Sequence, residues 1–399
     1  MKFIKSNYYL YIGIIILLVS SILLLVFSKE ISISLNKKDK NSSLNISSKT
    51  LDDEITDLIK STPLEKKLSQ IMMISIENFN SSPLVSLNNE VKDFLINYEF
   101  GGFILFKNNI STKDNTINLI SSIKKTSNIP MFIGCDEEGG RVSRINLFKA
   151  IPSAKLLGET RDPSLVYSTG KALGENLKSL GINVDFAPVL DINTNPKNPV
   201  IGDRAFGNTK EMVSTYGIEF MKGLLDSGII SCVKHFPGHG DTYLDSHKAL
   251  PKVYKNIDNL KSLEIYPFKK AIENNVPMIM VAHIALPNIG HCSAPASLCS
   301  FVIQDILRKD LNYNGVVVSD ALNMGAITSN YSALEASKLA IESGNDILLM
   351  PFNISSSKDI EEFQKYFLDL LNIIKNNKVL EENIDLSLKR ILSLKSKLN

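Results

Sequence analysis

Short apolar runs recur along the chain between about residue 70 and residue 350, and each run ends in polar or small residues. Continuous apolar runs of this length are typical of strands buried on both faces, as in a parallel sheet. The pattern predicts eight strands, at Gln70–Ser75, Gly102–Phe106, Met131–Cys135, Val184–Pro188, Ile229–Val233, Met278–Ala282, Val316–Ser319 and Asp346–Met350.

Amphipathic helical stretches lie between most of these runs. Asp162 and Pro163 predict a helix N-cap and first turn. Apolar stripes at helical spacing follow at Val166, Leu173, Leu177 and Leu180, at Val213, Tyr216, Phe220 and Leu224, and at Ile360, Phe363, Phe367, Leu370 and Ile374. Alternating strands and helices predict a (β/α)8 barrel of the TIM type in a single domain. A doubly wound open sheet is the alternative, although no glycine-rich phosphate loop opens any of the helices.

The N-terminus carries an apolar stretch of a different length. Residues 8–27 form an uncharged, mostly apolar stretch of 20 residues, and Lys2 and Lys5 precede it. This length crosses a bilayer core as a helix and exceeds the usual apolar region of a signal peptide. We expect residues 1–28 to be an uncleaved membrane anchor, and a cleaved signal is the alternative.

Residues 29–50 are rich in Ser, Asn and Lys and have no apolar period, so they are predicted to be a flexible linker. Residues 51–399 would then form the catalytic barrel domain. We expect a single-pass protein of the cell membrane whose domain lies on the extracellular, cell-wall side. If the signal is cleaved, the domain would be secreted. We expect a monomer.

Composition excludes some functions. The 44 basic residues are balanced by 42 acidic ones, so no polycationic surface for nucleic acid is indicated. Of the four cysteines, Cys135 and Cys232 end apolar runs and are interpreted as buried thiols. A Cys292–Cys299 disulfide stays open, and no cysteine pair has metal-site spacing.

The segment from Val233 to His247 contains the densest candidate chemistry. Three of the five histidines, two aspartates and a lysine fall within these 15 residues. An apolar run leads into the segment, and Pro237, Gly238 and Gly240 then exclude regular structure. Titratable groups on a loop behind a rigid strand are typical of a catalytic loop.

Charged side chains also follow most of the other predicted strands. In a TIM-type barrel, chemistry occurs where the carboxyl ends of the strands meet. The strand ends carry Asp136-Glu137-Glu138, Asp185 with Asp191, Lys234-His235, His283 and Asp320. Convergence of these groups on one face predicts an enzyme.

Asp320 and the pair Asp245 and His247 are the candidate reactive groups. Asp320 follows a fully apolar run, so its carboxylate could act as a nucleophile, a base or a metal ligand, or it could only cap the next helix. Residues two apart on an extended segment project to the same side, so Asp245 could hydrogen-bond the His247 ring. That contact would raise the imidazole pKa and suit His247 to donate a proton near neutrality. An exposed loop histidine is the alternative.

His235 and His239 are four residues apart, like a helical zinc pair, but Pro237 and Gly238 make a helix there unfavourable. A metal site is therefore the weaker interpretation. Lys234, Arg144 and Arg204 are candidates for binding substrate oxygens, because both side-chain types donate several hydrogen bonds.

Several of these segments resemble family 3 glycoside hydrolases of the β-N-acetylglucosaminidase type. Residues 234–247 are similar to the family's Lys-His-Phe-Pro-Gly-His-Gly-Asp-Thr-x-x-Asp-Ser-His signature, which is long and specific. Residues 136–142 resemble its Asp-Gln-Glu-Gly-Gly-Arg-Val segment. Residues 198–207 resemble its sugar-gripping loop and residues 315–327 its nucleophile segment. The resemblance extends from about Leu64 to Leu394.

The resemblance implies a retaining enzyme that needs no metal and no cofactor and that releases N-acetylglucosamine from peptidoglycan fragments or chitin-type sugars. Asp320 would be the nucleophile, His247 the general acid/base and Asp245 its partner. The sugar would be bound by Asp136, Arg144, Arg204, Lys234 and His235.

Two departures from the family stand out. Glu137 occupies a position where the family usually has Gln, which adds a charge beside Asp136. Some relatives also carry a further C-terminal domain, and we expect no such domain within these 399 residues. A β-glucosidase or an N-acetylglucosaminide phosphorylase of the same family, a non-catalytic sugar-binding module and a barrel metallohydrolase remain as alternatives.

Overall fold

The computed structural model describes residues 49–244, 246 and 250–398. The predicted anchor (1–28), most of the predicted linker (29–50), Asp245 and His247 lie outside the described residues. From Leu51 onward the chain forms one compact unit. Within the described residues, no helix combines the length and the apolar character needed to cross a membrane.

Eight parallel strands form the central sheet. They are β1 (Met72–Ile74), β2 (Gly102–Ile104), β3 (Phe132–Cys135), β4 (Val184–Asp185), β5 (Ile230–Phe236), β6 (Met278–Val281), β7 (Val316–Ser319) and β8 (Leu348–Leu349). Each predicted apolar run therefore overlaps a strand. A small antiparallel hairpin, Asn78–Phe79 with Ser82–Pro83, stands apart from this sheet.

The strands are paired in chain order, and the sheet curves back on itself. Met72 of β1 pairs in parallel with Leu348 of β8. Backbone hydrogen bonds of 3.0 and 3.1 Å, from Ile347 N to the Val317 carbonyl and from Ser319 N to the Ile347 carbonyl, bring β7 beside β8. The sheet is a nearly closed barrel of the TIM type, which excludes the open-sheet alternative.

Helices alternate with the strands from β1 onward. Their bounds are α1 Leu51–Ser61, α2 Leu64–Gln70, α3 Asn89–Tyr98, α4 Lys113–Lys124, α5 Ala154–Glu159, α6 Pro163–Leu180, α7 Lys210–Asp226, α8 Ile257–Ser262, α9 Tyr266–Glu273, α10 Gly325–Thr328, α11 Ala333–Ser343, α12 Ser357–Lys375 and α13 Lys378–Lys395. A π-helical segment spans Phe301–Asp310, and short 3-10 turns span Lys107–Asn109, Gly202–Arg204 and Ala296–Leu298.

The predicted helix start at Asp162 is confirmed. Its carboxylate accepts hydrogen bonds of 3.0 and 3.1 Å from the backbone N–H groups of Ser164 and Leu165, which otherwise have no partner within the helix. The predicted stripes of α6, α7 and α12 are buried, except that Ile360 is only partly so. They provide the apolar contact between the helices and the barrel.

The four cysteines form two groups, two buried thiols and one disulfide pair. Cys135 and Cys232 are buried free thiols at the barrel strands, and burial raises the pKa of both. Cys292 and Cys299, left open above, form a disulfide with their Cα atoms 5.9 Å apart.

Candidate active site at the carboxyl ends of the strands

A cavity of about 290 Å³ opens at the carboxyl ends of the barrel strands. Every predicted site residue that the structure describes lines it: Asp136, Arg144, Arg204, Lys234, His235 and Asp320. Asp245 and His247 lie outside the described residues, but Ser246 between them lines the same cavity. Side chains from separate strands are thus brought together, as expected for a barrel.

The strand β5 is longer than predicted. It continues through Phe236, so Lys234 and His235 lie on the strand and not on the loop after it. The expectation that these two groups leave the strand end was wrong, because extended backbone persists up to Pro237. A strand holds both side chains more rigidly than a loop would.

Lys234 is buried and paired with two carboxylates. Its Nζ lies 2.6 Å from Asp136 Oδ1 and 2.7 Å from Glu138 Oε1. Burial lowers the pKa of Lys234, but the charges of Asp136 and Glu138 outweigh burial and raise the pKa above its ordinary range. Lys234 is therefore a fixed cation in the cavity wall.

Glu138 was noted at a strand end but was not assigned to the site. It accepts two hydrogen bonds of 2.7 Å from Nε and Nη2 of Arg204, which is bidentate geometry. Burial raises the pKa of Glu138, but Arg204 and Lys234 outweigh it and hold the pKa well below its usual range. Glu138 aligns both cations. Its position between Glu137 and Gly139 gave no sign of this role.

Asp191 was likewise noted without a role, and it organises the turn after β5. Its Oδ2 accepts a 2.6 Å hydrogen bond from Nδ1 of His235, and its Oδ1 accepts one of 2.6 Å from the backbone N–H of His239. Because Nδ1 donates to the carboxylate, Nε2 of His235 is directed toward the cavity, 3.4 Å from Nη2 of Arg204.

Asp320 directly follows β7 and faces the cavity. Its backbone N–H donates to the Val281 carbonyl at 2.9 Å, and its Oδ1 accepts from the N–H of Ala321 at 2.8 Å. Burial raises the pKa of Asp320, but His283, His235 and the Ala321 N–H outweigh burial and lower it. The helix-cap alternative is excluded, because the next helix, α10, begins at Gly325 with Met324 before it.

Arg144 reaches the cavity from the loop after β3. Its guanidinium lies 5.7 Å from the Phe106 ring centroid, and Nη2 lies 3.8 Å from Asp136 Oδ2. Within the described residues its Nε has no hydrogen-bond partner. Arg144 also lines the cavity, so its guanidinium is placed to donate to a ligand there.

Glu137 does not add its charge to the cavity, contrary to the expectation. Its carboxylate turns away from Asp136 and accepts hydrogen bonds from the Ser143 hydroxyl (2.5 Å) and from the backbone N–H groups of Arg144 (2.7 Å) and Ile145 (2.9 Å). Glu137 supports the loop that carries Arg144. Asp185, Asp191 and His283 likewise lie behind the cavity wall.

The first turn of the 234–247 segment is fixed to the loop after β4. Asn198 donates from Nδ2 to the His239 carbonyl at 2.9 Å, and Asn195 donates to the Thr242 carbonyl at 2.9 Å. Gly240 is needed here, because a Cβ at that position would lie 1.7 Å from the Ile192 carbonyl oxygen. The base of the predicted catalytic loop is thus rigidly mounted.

His235 and His239 each use one ring nitrogen in a contact within the protein. His235 Nδ1 is engaged by Asp191, and Nδ1 of His239 lies 2.9 Å from the Thr242 hydroxyl. Burial lowers the pKa of His239 to about 4. In the part of the chain that the structure describes, no group of three or more His, Cys, Asp or Glu side chains is arranged to hold a metal ion.

The fold and the site together define an enzyme-like (β/α)8 barrel. Carboxylates and cations surround a small cavity at the carboxyl ends of the strands, which is where the active sites of TIM barrels lie. The chain belongs to glycosyl hydrolase family 3. The sequence model described as "Glycosyl hydrolase family 3 N terminal domain" matches residues 63–394.

Individual relatives agree with this membership. The chain is 36% identical to beta-hexosaminidase A of Pseudoalteromonas piscicida over 79% of its own length, and it spans 56% of that relative. It is 33% identical to a beta-hexosaminidase of Neisseria meningitidis, covering 66% of this chain and 74% of the relative.

Among solved structures, a family 3 beta-N-acetylglucosaminidase from Paenibacillus sp. str. FPU-7 superposes with a TM-score of 0.78 at 36% identity. The alignment covers 84% of this chain and 63% of that structure. The chain therefore spans less than two thirds of the Pseudoalteromonas relative and of the Paenibacillus structure.

Proposed function

We propose that this chain is an exo-acting β-N-acetylglucosaminidase that hydrolyses its substrate with retention of configuration. Asp320 is the nucleophile, His247 the general acid/base and Asp245 the partner that orients the imidazole. The sugar is held by Asp136, Arg144, Arg204, Lys234 and His235 and is taken from peptidoglycan-derived or chitin-type glycans.

The observation that carries this proposal is the surroundings of Asp320. A carboxylate with a lowered pKa faces a cavity whose wall also carries the ion-paired side chains of Lys234, Arg204 and Glu138, within a family 3 barrel. An anion held in this way suits attack on a sugar carbon. The similar Paenibacillus protein is a beta-N-acetylglucosaminidase and the similar Pseudoalteromonas protein is a beta-hexosaminidase, which supports an N-acetylhexosaminide as the substrate.

In the first step, an oxygen of Asp320 attacks C1 of the sugar, the bond from C1 to the leaving oxygen breaks, and His247 donates a proton to that oxygen. In the second step, His247 takes a proton from water, the water oxygen attacks C1, and the bond from C1 to Asp320 breaks. Two displacements at C1 retain the configuration. A neutral imidazole does not repel an incoming anion, so phosphate is the alternative second nucleophile.

The size of the cavity supports action on a chain end. At about 290 Å³ it lies at the lower limit of ligand pockets, which span roughly 300–1,000 Å³. Space of this size favours one sugar ring over an extended oligosaccharide. The charged wall matches the ring, because Lys234 and Arg204 donate to hydroxyl oxygens while Asp136 accepts from hydroxyl groups.

We also propose that the domain is tethered to the cell membrane by residues 1–28 and works on the extracellular side. The apolar stretch at residues 8–27 and the polar linker after it support this placement. Fractionation of cells that express the full chain tests it. Recovery in the soluble medium would favour cleavage and secretion.

A panel of chromogenic sugars tests the proposed activity. We expect turnover of aryl N-acetyl-β-glucosaminides, little turnover of the matching β-glucosides, and a product of unchanged anomeric configuration by NMR. Preference for the glucoside would identify a β-glucosidase, and sugar 1-phosphate formed only with added phosphate would identify a phosphorylase. Absence of turnover with retained sugar binding would identify a binding module.

Two substitutions test the assigned roles. Asp320→Asn should abolish turnover while the protein stays folded, and an active variant would overturn the nucleophile assignment. His247→Ala should slow natural glycosides much more than aryl glycosides with good leaving groups, because those need little protonation. Equal losses on both substrates would contradict the acid role.

A further inference from the structure

His283 lies two residues beyond β6 and is fully buried behind Asp320. Its Nε2 is 3.0 Å from the carbonyl oxygen of Ala321, the residue after Asp320. Its Nδ1 is 2.6 Å from the hydroxyl oxygen of Ser297. The ring therefore connects β6 to the segment that carries Asp320, without lining the cavity.

The chemistry of the partners fixes one proton on the ring. A carbonyl oxygen can only accept, so Nε2 must carry hydrogen and donate to Ala321. A hydroxyl can donate or accept, so the Ser297 contact forms whether or not Nδ1 also carries a proton. Both ring nitrogens are thereby satisfied at these two contacts.

Ser297 is itself held in place. Its backbone N–H donates to the Ala282 carbonyl at 3.1 Å, and its carbonyl accepts from Nδ2 of Asn345 at 2.8 Å. A buried hydrogen-bonded chain thus runs from Asn345 through Ser297 and His283 to Ala321. Such chains orient the groups that they end on.

The end of this chain is the peptide that sets the direction of the carboxylate. The peptide between Ala321 and Leu322 is held on both sides: the Leu322 N–H donates to the Leu349 carbonyl at 2.9 Å, and the Ala321 carbonyl accepts from His283. On the other side of Ala321, its N–H donates to Asp320 Oδ1 at 2.8 Å. The two peptides share the Cα of Ala321, so fixing the second peptide restrains the backbone at Ala321 and with it the direction of the N–H that holds the carboxylate.

We propose that His283 is a positioning residue for the first chemical step: through the Ala321 peptide it keeps the Asp320 carboxylate aimed at C1 of the sugar. This inference rests on the proposed role of Asp320 as the nucleophile. His283 does not touch the substrate, so the effect of replacing it falls on the rate of glycosyl transfer to Asp320 and not on sugar affinity.

The experiment follows the covalent labelling of Asp320 in the full chain. The probe is 5-fluoro-N-acetyl-β-glucosaminyl fluoride, whose leaving group needs little acid assistance, with peptide mass spectrometry as the readout. His283→Phe fills the same space without a donor and should slow labelling at saturating probe at least 30-fold. The concentration of probe that gives half the maximal rate should change less than threefold.

His283→Gln is the matched conservative variant, because its amide can still donate to the Ala321 carbonyl. It should recover at least tenfold of the rate that His283→Phe loses. A purely space-filling role would predict the opposite order, with Phe the milder change. Labelling of folded His283→Phe at the wild-type rate, or absence of recovery in His283→Gln, would overturn the proposal.

Should His283→Phe fail to fold, Ser297→Ala decides the matter. It removes the hydroxyl at Nδ1 while leaving the ring in place, and it should slow labelling about three- to tenfold. A labelling rate equal to that of the wild type would overturn the proposal. Wild-type protein that is not labelled at Asp320 at all would instead refute the nucleophile assignment, so the two failures are distinguishable.

Discussion

Replacement of Glu137 separates the hydrogen-bonding role of this side chain from its charge. Glu137 Oε2 accepts from the backbone N–H groups of Arg144 and Ile145, and Oε1 contacts the Ser143 hydroxyl. In Glu137→Gln the amide oxygen can take both backbone bonds, while the NH2 group donates to the serine oxygen. In Glu137→Leu all three bonds are lost at nearly equal volume.

The expected magnitudes follow from these bonds. Exchange of charge-assisted for neutral hydrogen bonds in Glu137→Gln should cost about 1 kcal/mol or less of the free energy of unfolding. Burial also raises the pKa of Glu137 despite these bonds, so loss of the charge removes a desolvation cost. In Glu137→Leu two buried N–H groups lose their acceptor, at about 1–3 kcal/mol each, or roughly 2–6 kcal/mol in all.

The assay is urea unfolding of both variants beside the wild type, with KM for an aryl N-acetyl-β-glucosaminide. Glu137→Gln should keep KM within about twofold. Glu137→Leu should raise KM about tenfold, or about 1.4 kcal/mol of binding, because the backbone of Arg144 loses its support. The reasoning is refuted if Gln proves as damaging as Leu, or if Leu leaves both stability and KM unchanged.

Two further substitutions address buried charges. Glu138→Gln removes the anion shared by Arg204 and Lys234. Breaking a buried ion pair costs about 3–5 kcal/mol, so the free energy of unfolding and kcat/KM should both fall. Unchanged values of both would contradict the described ion-pair network. Burial lowers the pKa of Lys395 to about 7. Above that pH, Lys395 is protonated in the unfolded chain but not in the folded chain. The free energy of unfolding therefore rises with pH until the ordinary lysine pKa is reached. Lys395→Met should remove this rise, which amounts to about 4 kcal/mol between about pH 7 and pH 10 at about 1.4 kcal/mol per pKa unit. Parallel stability curves for the two proteins over this range would contradict the assignment.

Structural features that depend on residues close together in the sequence could be predicted. The apolar runs located all eight barrel strands because a strand buried on both faces requires apolar residues at successive positions. Asp162 was identified as a cap because its acceptor and the N–H groups it satisfies are only two and three residues apart. Placement of Asp320 at the barrel mouth followed from the same periodicity together with the known polarity of TIM barrels.

Contacts distant in sequence were not predictable. Glu138 pairs with Arg204 across 66 residues, and His283 reaches Ala321 across 38. Neither contact follows from a periodic pattern in the sequence, because the closure of the barrel determines which strand ends become neighbours. The end of β5 was misjudged for a related reason: pairing with β6 as far as Val281 keeps Phe236 extended.

The sequence by itself determined the barrel and the face on which the candidate site residues lie, since both depend on apolar periodicity and on the residues that follow each strand. Only the tertiary structure decided which carboxylates face the cavity and which serve as supports. Asp136 and Asp320 face it, whereas Glu137, Asp185 and Asp191 support backbone or ring N–H groups behind the wall. The physical reason is that the direction of a carboxylate depends on which donors the folded chain places nearest to it.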